Sequence, residues 1–353
     1  MANSINYKKR NFYETDRADA AYEYAKDYTA YLDASKTERE AVICAEKAAI
    51  EAGFVPYTFG MSIKAGDKLY YNNRGKAIFL FRIGTENISE GVRIAAAHID
   101  SPRIDLKQCP LYEEAGMAFL KTHYYGGIRK YQWVTLPLAL HGVVAKKDGT
   151  CVNVVIGEDD TDPILYINDL LPHLGAEQGK RPLNEAIPGE KLNLLVGSRP
   201  GKDCNVRDNV MQLLNEKYGI TEDDFLSAEL SAVPAGKARD LGLDRSLIAA
   251  YGHDDRCCAY PALSAILGCD DPRHTLMTVL VDKEETGSDG VTGMQSRLLS
   301  DLLENITISL GGNFAQVRSA SKCLSADVSS AYDPNFAEAF EKRNCCEDRK
   351  SVV

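Results

Sequence analysis

The chain has 353 residues, of which 44% are hydrophobic and 26% are charged, which is ordinary for a globular protein large enough for two domains. Lys and Arg number 41 and Asp and Glu number 51, so the net charge is −10. A protein that neutralises phosphates needs a basic face, and we therefore expect no nucleic acid partner. No apolar run reaches the roughly 18 residues that span a bilayer, so we expect no membrane association.

The N-terminal segment and the cysteines predict a cytoplasmic location. Residues 1–17 are polar and charged and lack the apolar stretch of a secretory signal. The ten cysteines include the adjacent pairs Cys257-Cys258 and Cys345-Cys346, and they form no CxxC motif. We interpret them as reduced thiols rather than as a disulfide framework or a cysteine zinc site.

In chain order, the pattern first predicts helices and then a hairpin. Two helices are expected within residues 18–53, with Thr37 as the N-cap of the second. The hairpin strands are residues 68–73 and 77–83, and an Asn-Arg-Gly turn joins them. Residues 92–97 form a short apolar strand.

From about residue 103 to 239, the pattern indicates a β-rich insertion. Aromatic and β-branched stretches at residues 119–125, 131–144 and 152–156 are separated by polar turns. Residues 159–201 are rich in turn formers and are expected to form an extended loop.

After about residue 244, strands and helices alternate again. Helices are expected at residues 257–267 and 294–303, and strands at residues 276–281 and 323–328. This alternation is typical of an α/β sheet.

Four polar segments next to the predicted strands concentrate acids and histidine. They are Ala97-His98-Ile99-Asp100-Ser101-Pro102, Gly252-His253-Asp254-Asp255-Arg256, Asp282-Lys283-Glu284-Glu285-Thr286-Gly287 and Ser325-Ala326-Asp327. All four follow the C-terminal ends of predicted strands, where open α/β sheets place their sites. Converging carboxylates repel one another unless a cation lies among them. One imidazole with several carboxylates suits Zn²⁺, with Mn²⁺ or Co²⁺ as alternatives.

Each segment also has an ordinary structural interpretation. A lone His98-x-Asp100 is typical of a satisfied surface pair, and Asp254-Asp255 before an arginine is typical of a helix N-cap. Two adjacent glutamates usually mark a solvated turn. The occurrence of all these segments after strands nevertheless favours a metal hydrolase site.

These motifs together resemble the aspartyl aminopeptidase and vacuolar aminopeptidase I family, peptidase family eighteen. The resemblance also includes Tyr125-Gly126-Gly127 and Asp333-Pro334-Asn335, and it spans nearly the whole chain in the expected order. It implies an α/β fold in which an αβα sandwich proteolytic domain with a mixed sheet is interrupted by a β-rich dimerisation or lid domain. The proteolytic domain would comprise residues 1–103 and 240–353, and the insertion residues 104–239.

The resemblance implies a site with two zinc ions per subunit. The implied metal ligands are His98, Asp254, Glu285 and Asp327. Asp254 would bridge both ions, and Asp327 would join His98 on the first. Glu284 would be the general base, and Asp100 would orient His98.

The resemblance also implies an activity and an assembly. The chain would be a metal-dependent aminopeptidase acting on peptides with a free N-terminus, with acidic or neutral first residues preferred. It would form a homo-oligomer built from dimers, possibly a dodecamer. A loop from a neighbouring subunit can complete such sites, and His173 is a candidate, although a structural loop histidine is the favoured interpretation.

The chain departs from the family pattern in one ligand. The second metal of the family takes a further histidine from near the C-terminus, and none of the six histidines follows Asp327. Residues 348–353 look foreign to the family, so we expect a truncated chain that binds the second metal weakly and turns over poorly. Two alternatives remain open: a non-catalytic assembly or peptide-binding protein, and a zinc amidohydrolase of the deacylase kind.

Overall fold

Two six-stranded sheets and one two-stranded ribbon organise residues 15–346, which are the residues described in a computed structural model of the protein. The interpretations of residues 348–353 and of most of the polar N-terminal segment lie outside this range. The helices are α1 (Ala18–Ala34), α2 (Glu38–Glu51), α3 (Leu183–Ala186), α4 (Val206–Tyr218), α5 (His253–Gly268), α6 (Leu298–Ser309) and α7 (Phe314–Ala320).

The strands come from all parts of the described chain. They are β1 (Val55–Pro56), β2 (Lys68–Asn73), β3 (Ala77–Arg82), β4 (Arg93–His98), β5 (Arg103–Glu114), β6 (Met117–Tyr125), β7 (Leu138–Ala145), β8 (Cys151–Ile156), β9 (Leu194–Gly197), β10 (Ala228–Pro234), β11 (Arg239–Leu241), β12 (Leu247–Ala249), β13 (Leu276–Val281) and β14 (Lys322–Ser325). None of the helices among these residues is long and apolar enough to cross a membrane.

The first sheet is mixed and has the spatial order β1-β2-β3-β13-β4-β14. Strand β13 pairs antiparallel with β3 and parallel with β4, and β14 pairs parallel with β4. The carboxyl ends of β4, β13 and β14 therefore meet at one edge of the sheet. This arrangement confirms the predicted α/β fold class with a mixed sheet.

Helices cover both faces of this sheet. Every residue of β3 is buried, as expected for a strand with helices on both sides. Ile78 and Leu80 pack with residues of α2 and α5, whereas Phe79 and Phe81 pack with residues of α6 and α7. The alternation of side chains along a strand sends neighbouring residues to the two opposite helical layers.

The predicted second helix begins as the sequence indicated. Thr37 is the N-cap of α2, where its hydroxyl accepts from the Glu40 backbone N–H and the Glu40 carboxylate accepts from the Thr37 N–H. This capping box satisfies two backbone donors that the first helical turn leaves unpaired. The predicted hairpin is also confirmed, with β2 and β3 as its strands.

The second sheet is antiparallel and has the spatial order β8-β7-β10-β5-β6-β9. Its apolar face packs with α4 around a core that includes Leu120, Leu140, Val210 and Trp133. Gly142 on β7 lies so close to β10 that an added Cβ would stand 1.9 Å from the Glu229 carbonyl oxygen. A residue without a side chain is therefore required at this position, where the two antiparallel strands pair closely.

Several boundaries differ from those that the sequence pattern indicated. Within the aromatic and β-branched stretch at 131–144, the strand begins only at Leu138, because Thr135 has a positive φ and Pro137 lacks an N–H for the ladder. The helix predicted at 294–303 is α6, which begins at Leu298. The final strand ends at Ser325.

The β-rich stretch also contains a helix that the pattern did not predict. Asn205 caps the first turn of α4 by accepting from the Asp208 N–H, and Gly219 ends the helix in a left-handed conformation. These two residues are typical start and stop signals that the aromatic stretches around them obscured. The loop predicted at 159–201 likewise contains α3 and β9.

Charged side chains join α2 of the first sheet to strands of the second. Glu38 lies 2.9 Å from Arg103 at the start of β5, and Glu40 lies 2.8 Å from His141 on β7. Both glutamates stand in the first turn of α2. That turn therefore links the two sheets electrostatically.

Candidate metal centre

Three of the four acidic segments lie at one edge of the first sheet. His98 ends β4, Asp282 follows β13 and Asp327 follows β14, so the parallel strands deliver them to the same side. The fourth segment differs from the prediction, because it follows β12 of the separate ribbon rather than a strand of this sheet. Asp254 is instead positioned at the start of α5.

His98 lies at the centre of the acidic groups. Its Nε2 atom is 3.2 Å from Asp254 Oδ1, 3.8 Å from Asp327 Oδ1 and 3.9 Å from Glu284 Oε2. The imidazole is almost fully buried, with 3% of its side chain exposed, whereas Asp254, Glu284 and Asp327 are each about half exposed. The ring therefore forms the base of a cup whose open rim is acidic.

Asp100 holds the other side of the imidazole. His98 Nδ1 lies 3.0 Å from the Asp100 carbonyl oxygen and 3.3 Å from its Oδ1 atom. A ring nitrogen that donates to such oxygens leaves Nε2 directed at the acidic groups, as in metal-binding histidines. Burial alone would lower the pKa of His98, but Asp100 and the nearby carboxylates raise it to about 9.

The buried carboxylate of Asp100 also positions the segment that carries the two glutamates. It accepts from the backbone N–H groups of Glu284 and Glu285, each at 3.2 Å, and from the Tyr125 hydroxyl at 2.6 Å. Burial would raise the pKa of Asp100, but the hydrogen bonds with His98 and Tyr125 keep it below its ordinary value. Asp100 therefore links the β4 segment, the β13 segment and the Tyr125-Gly126-Gly127 motif.

Glu284 and Glu285 form a 3₁₀ turn directly after β13. Lys283 precedes the turn with a φ of 76°, which turns the chain sharply at the sheet edge. One ligand atom from each of His98, Glu284 and Glu285 lies within 4.8 Å of the others, a spacing that could hold a metal ion. Burial, and next the charge of Asp254, raise the pKa of Glu285 to about 7.

Asp255 joins the cluster, which the sequence did not predict. Its carboxylate, His98 and Asp327 form a second group with ligand atoms within 4.8 Å of one another. Asp255 has no exposed surface, and no nitrogen or oxygen donor among the described residues reaches its oxygens, which face the Cys258 thiol. Burial is the main reason that the pKa of Asp255 rises to about 6.

Arg256 connects the segments behind the centre. Its guanidinium has no exposed surface and donates to the carbonyl oxygens of Ile99, Gly252 and Ser35 and to the Ser101 hydroxyl. Ser101 in turn donates to the Asp254 carbonyl oxygen at 2.5 Å. The DDR triplet was the only sequence signal for Arg256, and nothing in it distinguished this role from a salt bridge.

The other histidines have different surroundings. His253 Nδ1 is 2.8 Å from the Tyr28 hydroxyl, and its Nε2 is 3.2 Å from the Ile248 carbonyl oxygen. His173 is exposed in the loop after β8. Among the described residues, His98 is the histidine that belongs to groups able to hold a metal.

These donors fit zinc. An imidazole with a fixed tautomer, surrounded by carboxylates, offers nitrogen and oxygen ligands of the kind that Zn²⁺ takes in catalytic sites. Asp255 adds a further carboxylate within reach of His98 and Asp327.

Comparison with known proteins agrees with this chemistry. The family described as Aminopeptidase I zinc metalloprotease (M18) matches residues 31–353. The chain is 50% identical over 336 residues to a probable M18 family aminopeptidase 1 of Clostridium acetobutylicum, covering 92% of this chain and 72% of that protein.

Solved structures show the same likeness. The M18 family aminopeptidase of Thermotoga maritima superimposes with a TM-score of 0.92 at 38% identity, covering 98% of this chain and 78% of that one. The mApe1 dodecamer of S. cerevisiae superimposes with a TM-score of 0.76 at 18% identity, covering 93% of this chain and 76% of that one. At 18% identity, the likeness to the S. cerevisiae structure shows a shared fold and nothing more.

Proposed function

The chain belongs to the M18 family of zinc metalloprotease aminopeptidases, and on that premise we propose that it hydrolyses the N-terminal peptide bond with a water activated by two zinc ions. The observation that carries this proposal is the convergence of three half-exposed carboxylates on the buried Nε2 atom of His98. A hydrolase of this kind needs protein ligands on one side of the metal and an open position on the other.

We propose that the two ions share the acidic cup. His98 and Asp327 would hold the first, Glu285 would hold the second, and Asp254 would bridge them. When bound, the ions supply a water of lowered pKa and a Lewis acid for the substrate carbonyl.

Glu284 is proposed as the general base. Its carboxylate is half exposed and stands 3.9 Å from His98 Nε2, so it borders both the metal ligands and the solvent. Its backbone is held by Asp100, which fixes the turn while the side chain stays accessible. Glu284 would accept a proton from the attacking water and return it to the leaving amine.

The acidic rim supports cleavage at the free N-terminus. The half-exposed Asp254, Glu284 and Asp327 surround one point, and their negative charge attracts an α-ammonium group. A peptide would therefore enter with its N-terminus first. Its second residue would then extend away from the cup.

Acidic or neutral first residues are the proposed preference. A cavity of about 520 Å³ adjoins Asp254, and Arg129, Gln132 and Trp133 are among its lining residues. The guanidinium suits a carboxylate and the indole suits an apolar side chain. Release rates from Asp-, Glu- and Leu-derived chromogenic substrates would separate the two preferences.

The central experiment replaces the proposed base. Glu284→Gln should lower kcat by about 10²- to 10⁴-fold, the usual contribution of general base catalysis, while zinc content stays within error of the wild type. Glu51→Gln is the matched control, because it changes an exposed glutamate at the end of α2. This variant should retain full activity. Full activity in Glu284→Gln would refute the base, and chelator-insensitive release would refute the metal mechanism.

A homo-oligomer is proposed as the working assembly. One relative of the same fold is a dodecamer, and the antiparallel second sheet would supply the dimer contact implied by the domain division at residues 104–239. Sedimentation velocity should give a mass of at least two chains. A monomer at micromolar concentration would contradict the assembly and leave the chemistry of the site untouched.

A cytoplasmic location is proposed from the thiols. All ten cysteines lie in the described part of the chain, and none of them forms a disulfide there. Reduced thiols in this number are typical of a reducing compartment.

A further inference from the structure

Asp255 also belongs to a group of metal-binding side chains that the proposed mechanism does not use. One of its carboxylate oxygens and the Sγ atoms of Cys257 and Cys258 all lie within 4.8 Å of one another. Both cysteines are free and partly buried in the first turns of α5. The group therefore combines two thiols and one carboxylate beside the zinc centre.

The carboxylate of Asp255 is the independent sign of a ligand. It has no exposed surface, and within residues 15–346 no nitrogen or oxygen donor reaches either oxygen, so the Cys258 thiol is the hydrogen-bonding group that faces it. The adjacent guanidinium of Arg256 does not compensate it, because its hydrogen bonds go to carbonyl oxygens and to Ser101. A thiol is a weak hydrogen-bond donor, so this buried carboxylate still lacks the strong donor or cation with which such groups are normally paired.

The geometry suits a small thiophilic cation. A tetrahedral ion with metal–sulfur distances of about 2.3 Å places its donors about 3.8 Å apart, which is within the observed spacing. Thiolates select Zn²⁺ and softer ions such as Cd²⁺ over Mg²⁺ or Ca²⁺. We propose that Asp255, Cys257 and Cys258 form an auxiliary site for a thiophilic divalent cation, with water as its fourth ligand.

Occupation of this site would act on the zinc centre through a shared residue. Asp255 is also the member that groups with His98 and Asp327, and it follows Asp254 directly in the chain. A cation bound by the two thiols and Asp255 would draw the negative charge of the Asp255 carboxylate away from the zinc centre. If the proposed function holds, excess Zn²⁺ or Cd²⁺ should inhibit peptide hydrolysis, and the two sites should weaken each other reciprocally.

Cadmium titration of the zinc-loaded protein tests the site without measuring activity. We expect one additional Cd²⁺ per chain by elemental analysis, together with a thiolate-to-cadmium charge-transfer band in the ultraviolet. The double variant Cys257→Ala/Cys258→Ala should lose the band and bind that ion at least tenfold more weakly. The matched control Cys109→Ala/Cys151→Ala removes two exposed thiols of the second sheet and should behave as the wild type.

Asp255→Asn provides the second arm, after thermal melting has shown that it folds. It should keep a thiolate band but bind Cd²⁺ more weakly than the wild type. The proposal is overturned if the wild type gains no thiolate band, if the band survives in the Cys257/Cys258 double variant, or if the control loses it equally. Because none of these readouts uses peptide hydrolysis, their failure is distinguishable from failure of the proposed function.

Discussion

At the scale of single residues, Arg256 shows how a buried charge organises a site that it does not touch. Its guanidinium has no exposed surface, and no carboxylate is among its hydrogen-bond acceptors in the described residues. It donates to the Ile99 carbonyl, one residue after His98, and to Ser101, which contacts the Asp254 backbone. One side chain thus joins the two segments that bring His98 and Asp254 together.

Replacement of Arg256 should therefore affect metal affinity beyond its effect on stability. We expect Arg256→Met to weaken zinc binding about 10- to 100-fold, the usual effect of losing a residue that orients metal ligands. Chelator competition on the folded protein measures this affinity.

Arg82→Met is the matched control for that experiment. Arg82 is also buried, and it donates to the Ile266 and Leu267 carbonyl oxygens at the end of α5, away from the metal ligands. The Arg82→Met variant should be less stable than the wild type but should bind zinc with the same affinity. Equal loss of zinc affinity in both variants would show that Arg256 acts through general stability alone.

At the scale of secondary structure elements, α2 and β7 meet through a buried histidine. His141 lies between two carboxylates, with Nδ1 2.8 Å from Glu40 and Nε2 3.0 Å from Glu158. Lys36 also contacts Glu158, so the four groups form a row of alternating charge. Burial alone would lower the pKa of His141, but the two carboxylates outweigh burial and raise it from 6.5 to about 8.

This contact should make stability depend on pH. The pKa of His141 in the folded protein lies above its ordinary value. The stabilisation from the two carboxylates is therefore complete below pH 6.5 and is lost as the pH rises through 8. Relative to the wild type, the free energy of unfolding of His141→Gln should fall by about 2 kcal/mol more at pH 6 than at pH 9. Urea unfolding at both values measures the difference.

The exposed His123 on β6 provides the control for this pH dependence. His123→Gln should unfold like the wild type at both values. A His141→Gln deficit that is the same at pH 6 and pH 9 would show that the contact is steric rather than electrostatic.

At the scale of the whole molecule, the two sheets are joined by a buried ion pair. Glu38 on α2 lies 2.9 Å from both Arg103 and Lys76. Burial would raise the pKa of Glu38, but these cations outweigh it and hold the pKa at about 2. Arg103 begins the second sheet directly after the metal-centre segment, so the pair links the two sheets beside the site.

Removal of Arg103 should loosen the two sheets from one another. We expect Arg103→Met to lower the free energy of unfolding by about 3–5 kcal/mol, because the buried Glu38 carboxylate then keeps only Lys76 of its two cations. The chain has one tryptophan, Trp133, and it lies in the core of the second sheet. Its fluorescence transition should separate from the far-ultraviolet circular dichroism transition in the variant and coincide with it in the wild type.

Arg297→Met removes an exposed arginine and is the control for this effect. It should unfold with coincident transitions. Coincident transitions in Arg103→Met as well would mean that other contacts hold the sheets together.

The sequence by itself determined the fold class and the acidic segments near His98. Strands β4, β13 and β14 could be predicted because short apolar runs are local signals, and parallel strands bring their following residues to one edge. The same local signals located Thr37 at the start of α2. The particular roles of Asp254, Glu285 and Asp327 at the metal came from family resemblance, and they remain proposals.

Only the tertiary structure decided which side chains are buried together. The carboxylate of Asp255 is enclosed by the packing of α5 without a nitrogen or oxygen donor, and Arg256 finds three of its four acceptors on segments more than 150 residues away. The pairing of α2 with His141 likewise depends on how the two sheets meet. Such contacts join residues distant in the chain, and the identity of a polar residue does not reveal whether its partner will be water, a cation or another side chain.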